Sequence, residues 1–304
     1  MAKKDLIGND GLTLIETIVA ITIVGMLAGL TLIGIQAVRN SSRQTQSGNN
    51  VAQLLRASEQ FSSDHGGRLP PISGFYGSGA VREEFGSYFL ALMPYVEQGA
   101  GYDAYLSTLP PPNQSGVTIN GSPISNGIRV SSNYRFAILE SPSDPTVVSQ
   151  QTGLCSYAIN ATALSRNDVS LSTGFTDGRS NTLLIGEHFA YDCRKRMFSW
   201  SSTDASPGSP EELEFRIAAF AHRPSGDVVP IKFGNETRPS RSGMTFQTLP
   251  QKEECDPSVS QALQRGGLQV GIADGSVRII SQQVGEVVFW SAVTANGGEA
   301  RGEL

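Results

Sequence analysis

GLTLIETIVAITIVGMLAGLTLIGIQAV, Gly11 to Val38, is the stretch around which the rest of the chain is organised. The 27 residues from Leu12 carry one charge, Glu16. As a helix they would reach about 40 Å at ~1.5 Å per residue, longer than a hydrocarbon core of roughly 30 Å. This predicts a single membrane-crossing helix. Lys3 and Lys4 precede it, which favours a cytoplasmic N-terminus and an exported C-terminal bulk. A secretory signal peptide fits poorly. Its apolar region would be shorter and followed by a small-x-small cleavage site, whereas here the run continues into IQAVRNSSRQTQ. A carboxylate near the start of a membrane helix is costly and marks a functional position. The plainer reading of Glu16 is an interfacial acid favoured by the helix dipole. Gly25 and Gly29 form a small-x-x-x-small pair, with Ala28 and Gly34 nearby, a pattern that permits close helix–helix packing.

Working outward, VAQLLRASEQF places Val51, Leu54, Leu55 and Phe61 at helical spacing. One long helix is expected from about residue 13 to about residue 63, weakest at Gly48-Asn49-Asn50. In SSDHGGRLPP, Gly66-Gly67 supplies a C-cap and Pro70-Pro71 forbids continuation. Glu83 to Leu106 reads as two helical pieces broken near Pro94, and Thr108 to Gly127 as a loop. Runs such as SYAINATAL, TLLIGEHF, MFSWSS, FRIAAFA, VVPIKF, LQVGIAD and SVRIIS, separated by turn formers, predict an antiparallel sheet. The fold class expected is therefore α+β, a long N-terminal helix whose second half packs on a β-sheet head. The 33 glycines and 16 prolines suit such a loop-rich head better than a helical bundle.

The net charge of −5 excludes a basic nucleic-acid footprint. Of Cys155, Cys193 and Cys255, an exported domain can oxidise two. The sequence does not choose the pair, although Cys193 and Cys255 both lie in the C-terminal half beside loop-like segments. The oxygen-rich TDGRSNT, Thr176 to Thr182, admits a Ca²⁺ loop with Asp177 and Asn181 as ligands. It lacks EF-hand spacing, and a turn with Asx hydrogen bonding before a strand is the more economical reading. Glu187 ends that strand as a buried structural acid or a polar rim residue. Asp274-Gly275 predicts a two-residue hairpin. His65, His188 and His222 have no metal-ligand spacing. His188 should face away from Glu187, because neighbours in a strand alternate. No nucleophile elbow is present, and GSGAVREE lacks the Lys-Ser/Thr end of a phosphate loop. Trp200 and Trp290 read as packing residues, with a sugar platform as the alternative.

Gly11-Leu12-Thr13-Leu14-Ile15-Glu16 resembles the type IV prepilin signature, with Leu12 where Phe is usual. The resemblance implies removal of residues 1–11 by a prepilin peptidase/N-methyltransferase, methylation of Leu12, and pairing of Glu16 with the amine of Leu12 on a neighbouring subunit. The head resembles the prepilin-like domain of unknown function expanded in planctomycetes and related bacteria. The segments that carry it are LLRASEQFSSDHGGRLPP, FLALMPYVEQGAGYDAY, SPSDP, SYAIN, FTDGRSNTLLIGE and QRGGLQVGIADGSVRIIS. Ser141 stands where that family usually has Cys, and Gln264 where it has a His separated by nine residues from Asp274-Gly275. Roles of that His are therefore not carried over. The implied organisation is a leader at 1–11, a transmembrane and assembly helix at 12–38, its continuation at 39–65 and an exported head at 66–304. The implied role is a non-enzymatic pilin-like or type II secretion pseudopilin-like subunit in the inner membrane or a surface filament. It would self-assemble or join other pilin-like subunits and need no cofactor. The rival expectation is a membrane-tethered binding module, for carbohydrate among other ligands, that uses the prepilin motif as an anchor.

Overall fold

A computed structural model describes residues 13–76, 84–96, 102, 118–119, 122–123, 134–148, 151–164, 169–193, 196–200, 214–221, 244–257 and 259–295. The chain divides into two compact units, Met1–Arg43 and Gln44–Leu304. Helix α1, Leu14–Asp64, is continuous over 51 residues. Gly48-Asn49-Asn50 does not break it, because the turn is held from outside by contacts described below. It ends as expected. Gly66 and Gly67 take φ of 66° and 87°, and the Gly67 N–H donates to the Ser62 carbonyl at 2.7 Å, the six-to-one bond of a Schellman cap.

The strands are β1 (Ser73–Tyr76), β2 (Glu84–Ser87), β3 (Thr118–Ile119), β4 (Ser122–Pro123), β5 (Tyr157–Asn160), β6 (Leu183–Glu187), β7 (Arg196–Ser199), β8 (Glu214–Ile217), β9 (Ala219–Phe220), β10 (Gln247–Thr248), β11 (Gln261–Ala262), β12 (Leu268–Ile272) and β13 (Val277–Ile280). Among the described residues, helices α2 (Tyr88–Leu92) and α3 (Glu286–Val293) follow. The main sheet has the order β13-β12-β6-β5-β9. Three of its pairings are antiparallel, but β9 lies parallel to β5. The sheet is therefore mixed rather than purely antiparallel, within the expected α+β class.

Two other expectations are corrected. Glu84–Ser87 is a strand paired with β1 and not the start of a helix. Helix begins only at Tyr88, where the Ser87 hydroxyl accepts the Leu90 N–H. Residues 273–276, four rather than two, join β12 to β13. The Ile272 N–H donates to the Ser276 carbonyl, and Gly275, at φ 90°, closes a turn onto the Ile272 carbonyl. This is the turn-plus-left-handed-residue hairpin that a glycine at its third position permits. VVPIKF and His222 lie outside the described residues.

One face of the sheet receives the second part of α1. Ser47, Val51, Leu54, Leu55, Ala57, Ser58, Phe61 and Ser62 are its buried residues, a stripe with i, i+3, i+4 spacing. Fully burying each of Val51, Leu54, Leu55 and Phe61 contributes about 1.5–3 kcal/mol. The other face carries Leu268, Val270, Ile272 and Ile280 against Phe289 and Val293 of α3. Gly271 lets the helix lie close: a Cβ there would stand 2.8 Å from Val51 Cγ1 and 2.9 Å from Leu55 Cδ1. Gly271→Ala should therefore push the helix off the sheet and cost about 1–3 kcal/mol. A denaturant titration with an unchanged midpoint would contradict this packing.

Candidate functional site

Two regions concentrate the residues singled out in the sequence. The first is the opening of α1. Thr13 is its N-cap. Its N–H and hydroxyl both donate to Glu16 Oε2 at 2.9 Å, and the Glu16 N–H donates back to Thr13 Oγ1 at 3.3 Å. This reciprocal arrangement is a capping box, readable in Thr13-x-x-Glu16 though overlooked in the sequence reading. Gly11 and Leu12 lie outside the described residues. Beyond Glu16 the hydroxyls turn inward on their own helix. Thr22 donates to the Val19 carbonyl and Thr31 to those of Leu27 and Ala28. The surface left is apolar. Leu14, Ile15, Ile18, Val19, Ile21 and further large side chains as far as Val38 are exposed. Gly25, Gly29 and Gly34 have nothing within 4 Å of where a Cβ would stand. This helix is a candidate single membrane span or signal anchor by length and composition.

The second region is a buried polar cluster between α1 and the sheet. Glu187, at the end of β6, is 3 % exposed. Ser47 Oγ of α1 donates to its Oε1 at 2.7 Å, and the Gln269 N–H of β12 approaches Oε2 at 3.4 Å. Ser47 Oγ lies 3.0 Å from both the Tyr157 hydroxyl and Ser141 Oγ, and Asn50 Nδ2 donates to Tyr157 at 3.3 Å. Of the two sequence readings, Glu187 is thus the buried structural acid. Burial pushes its carboxyl up to about 7, opposed by the bonds from Ser47, Gln269 and the Leu263 backbone and reinforced by Asp144. Asp144 is itself raised by burial although Thr146, Ser156 and the Ala190 N–H all donate to it.

Ser141 and Gln264, the two departures from the resembled family's pattern, lie beside this cluster. Ser141 bonds Ser47, and Gln264 Nε2 donates to Ser143 Oγ at 2.5 Å. His188 is buried on the other side, its Nδ1 at 2.8 Å from the Phe189 carbonyl and its ring against Phe198. Burial lowers it to about 4, partly offset by the carbonyls of Phe189 and Pro257 and by Asp256.

In the 176–182 turn, Asn181 Nδ2 donates to the Asp177 carbonyl at 3.1 Å. The Thr182 hydroxyl donates to that of Gly178, whose φ is 97°. Among the described residues no group of three or more His, Cys, Asp or Glu side chains gathers as a metal site. Asp274 Oδ1 accepts the N–H and hydroxyl of Ser276, a turn-stabilising pair. His65 stacks on Phe61 with its Nδ1 at 2.8 Å from the Phe61 carbonyl. Trp200 is fully buried and Trp290 is 9 % exposed, with Nε1 donating to the Met244 carbonyl. Neither offers an exposed ring platform. Cys193 and Cys255 form a disulfide, and Cys155 is a buried free thiol.

No curated protein and no solved structure matches the chain. Residues 36–171 match the family model described as "Protein of unknown function (DUF1559)". That span runs from the end of the apolar segment to just before the 176–182 turn, and over it the chain is similar to that family.

Proposed function

We propose that the chain is a type IV pilin-like or pseudopilin-like structural subunit, cut after Gly11 by a prepilin peptidase/N-methyltransferase. It assembles with copies of itself or other pilin-like subunits through the apolar part of α1. The observation that carries this reading is the division of labour along one helix. From Leu14 to Val38 every large apolar side chain is exposed and the only charge is Glu16, while from Ser47 onward one stripe of the same helix is buried in a head core. A helix that merely anchored the head would need the apolar part but not a carboxylate in its first turn, which costs free energy in lipid. A neighbouring subunit's N-terminal amine gives that carboxylate a partner whose attraction is strong at low dielectric. The subunit sits in the inner membrane with its N-terminus cytoplasmic and its head outside, and performs no catalysis of its own. A disulfide in the head fits that placement, since disulfides persist in oxidising compartments.

The experiment is to shear surface filaments from producing cells and determine the N-terminus of their main component by mass spectrometry. A chain beginning at a methylated Leu12 is expected. Recovery only as dispersed membrane protein that retains residues 1–11 would overturn the proposal.

A further inference from the structure

At one turn of α1, two unusual contacts fall on adjacent residues. Ser47 donates to Glu187, which forms no ion pair with any described residue. Gly48, next in the chain, is met by the side chain of Gln269 from β12. With the Gln269 amide oriented to satisfy both its ends, it donates to the Gln44 carbonyl at 3.3 Å and accepts the Gly48 N–H at 3.1 Å. Those two groups are the partners of one i→i−4 bond of the helix. A side chain therefore sits astride the ladder, an arrangement known to let helices open or bend. Only glycine permits it, because a Cβ at residue 48 would lie 2.4 Å from the end of the Gln269 amide that faces it. The same residue also lends its backbone N–H to Glu187 Oε2. The carboxyl and the inserted amide are thus mechanically joined through Gln269.

We propose that Glu187 and Gln269 form a proton-controlled latch on the Gln44–Asn50 turn of α1, closed when Glu187 is neutral and loosened when it is charged. Gln269 bonds both partners of that ladder bond, so its side chain ties the turn to the sheet. Glu187 supplies the control. As a carboxylate it is a buried charge facing three groups that only partly solvate it, the Ser47 hydroxyl and the backbone N–H groups of Gln269 and Leu263. Leaving the sheet would return that charge to water. The titratable groups around it are Tyr157 from β5 and Asp144 from the 141–146 loop, and both oppose its ionisation or contribute no positive charge. The facing residues of α1, Ser47 and Asn50, and of β12, Gln269, do not titrate. His188 faces the opposite side, toward Phe198.

The sign follows from linkage. A carboxyl raised from 4.5 to about 7 in the closed state binds its proton more tightly there, so closure weakens as pH rises through that window. His188, lowered from 6.5 to about 4, has the opposite effect on global stability across an overlapping range. A melting curve would therefore blur the two, and a local readout is needed. The latch is independent of how the apolar part of α1 is used.

The test is hydrogen–deuterium exchange of the full chain in detergent micelles between pH 6 and 8, corrected for intrinsic exchange and read on peptides covering residues 44–51. Protection of that turn should fall by about tenfold across the range, while peptides from β5 and β6 keep theirs. Glu187→Gln, nearly isosteric and uncharged, should show high and flat protection. Gln269→Ala should lower protection at every pH. A flat wild-type profile, which needs no variant to fold, would overturn the proposal. So would a slope that persists undiminished in Glu187→Gln, since the titrating group would then be another, such as Asp144.

Discussion

Glu16→Gln chains should fold, insert and keep an intact head, yet be excluded from assemblies built by wild-type subunits in the same cell. The capping box separates the two roles of this residue. Glutamine at the third helical position still reaches back to the Thr13 N–H, so the intrahelical bonds seen at Oε2 survive the substitution. What disappears is the charge, together with the further acceptor sites that Oε1 offers a donor from outside the helix. Loss of a cap alone costs about 1 kcal/mol, roughly a fivefold effect. Stranding an amine at low dielectric after removing its partner costs about 3–5 kcal/mol, a hundredfold or more per contact. In a cell co-producing tagged and wild-type subunits, the tagged Gln chain should therefore fall at least tenfold below its share of the membrane pool when sheared or cross-linked assemblies are quantified. Glu16→Ala should do no better. If Glu16→Gln incorporates like wild type and only Glu16→Ala is depleted, the carboxylate acts through its own helix cap and the inter-subunit role is wrong.

How far the sequence reaches is visible at particular residues. The C-terminal end of α1 was legible because two glycines and two prolines give it a local chemical cause, while its start was read from the apolar run and not from the Thr13–Glu16 cap. The stripe Val51, Leu54, Leu55, Phe61 and the strands at 157–160, 183–187, 268–272 and 277–280 were legible from periodicity and turn punctuation. Glu84–Ser87 was not, because a short mixed run carries no periodicity that separates strand from helix. Its identity comes from pairing with Ser73–Tyr76, a non-local fact. The parallel placement of Ala219–Phe220 is equally a property of the assembled sheet. The polar cluster illustrates the limit most clearly. Glu187 stood out as an acid ending a strand, but Ser47, Tyr157 and Gln269 come from positions 47, 157 and 269 and only packing brings them to it. Gly48 read as a helix-weakening residue; its actual use is to admit the Gln269 side chain.

Reducing the Cys193–Cys255 disulfide, or replacing both cysteines by alanine, should lower the stability of the head by about 4 kcal/mol, the chain-entropy cost of leaving a loop of this length open in the unfolded state. The sequence separation is 62 residues. The bridge ties the connection between β6 and β7 to the segment between β10 and β11, where the secondary structure is sparse: β10 and β11 are two residues each and pair only with one another in their sheet. Few ladder bonds resist opening there. A neighbouring contact, Lys252 to Asp192 at 2.7 Å, joins the same two segments, but as a largely exposed pair it contributes at most about 1 kcal/mol. The staple therefore dominates. For a head of this size, 4 kcal/mol corresponds to a melting temperature lower by about 10 °C. The measurement is thermal unfolding of the full chain in micelles with and without reductant, beside the Cys193→Ala/Cys255→Ala variant. Cys155 provides the internal count. Its thiol is fully buried, donates to the Tyr157 carbonyl at 3.0 Å and is held well above its ordinary titration range by burial. One thiol should consequently react with an alkylating reagent after denaturation without reductant, and three after denaturation with it. Three reactive thiols in the unreduced protein isolated from its natural compartment would mean that the head does not reside where such bonds form, and would undercut the exported placement together with the staple.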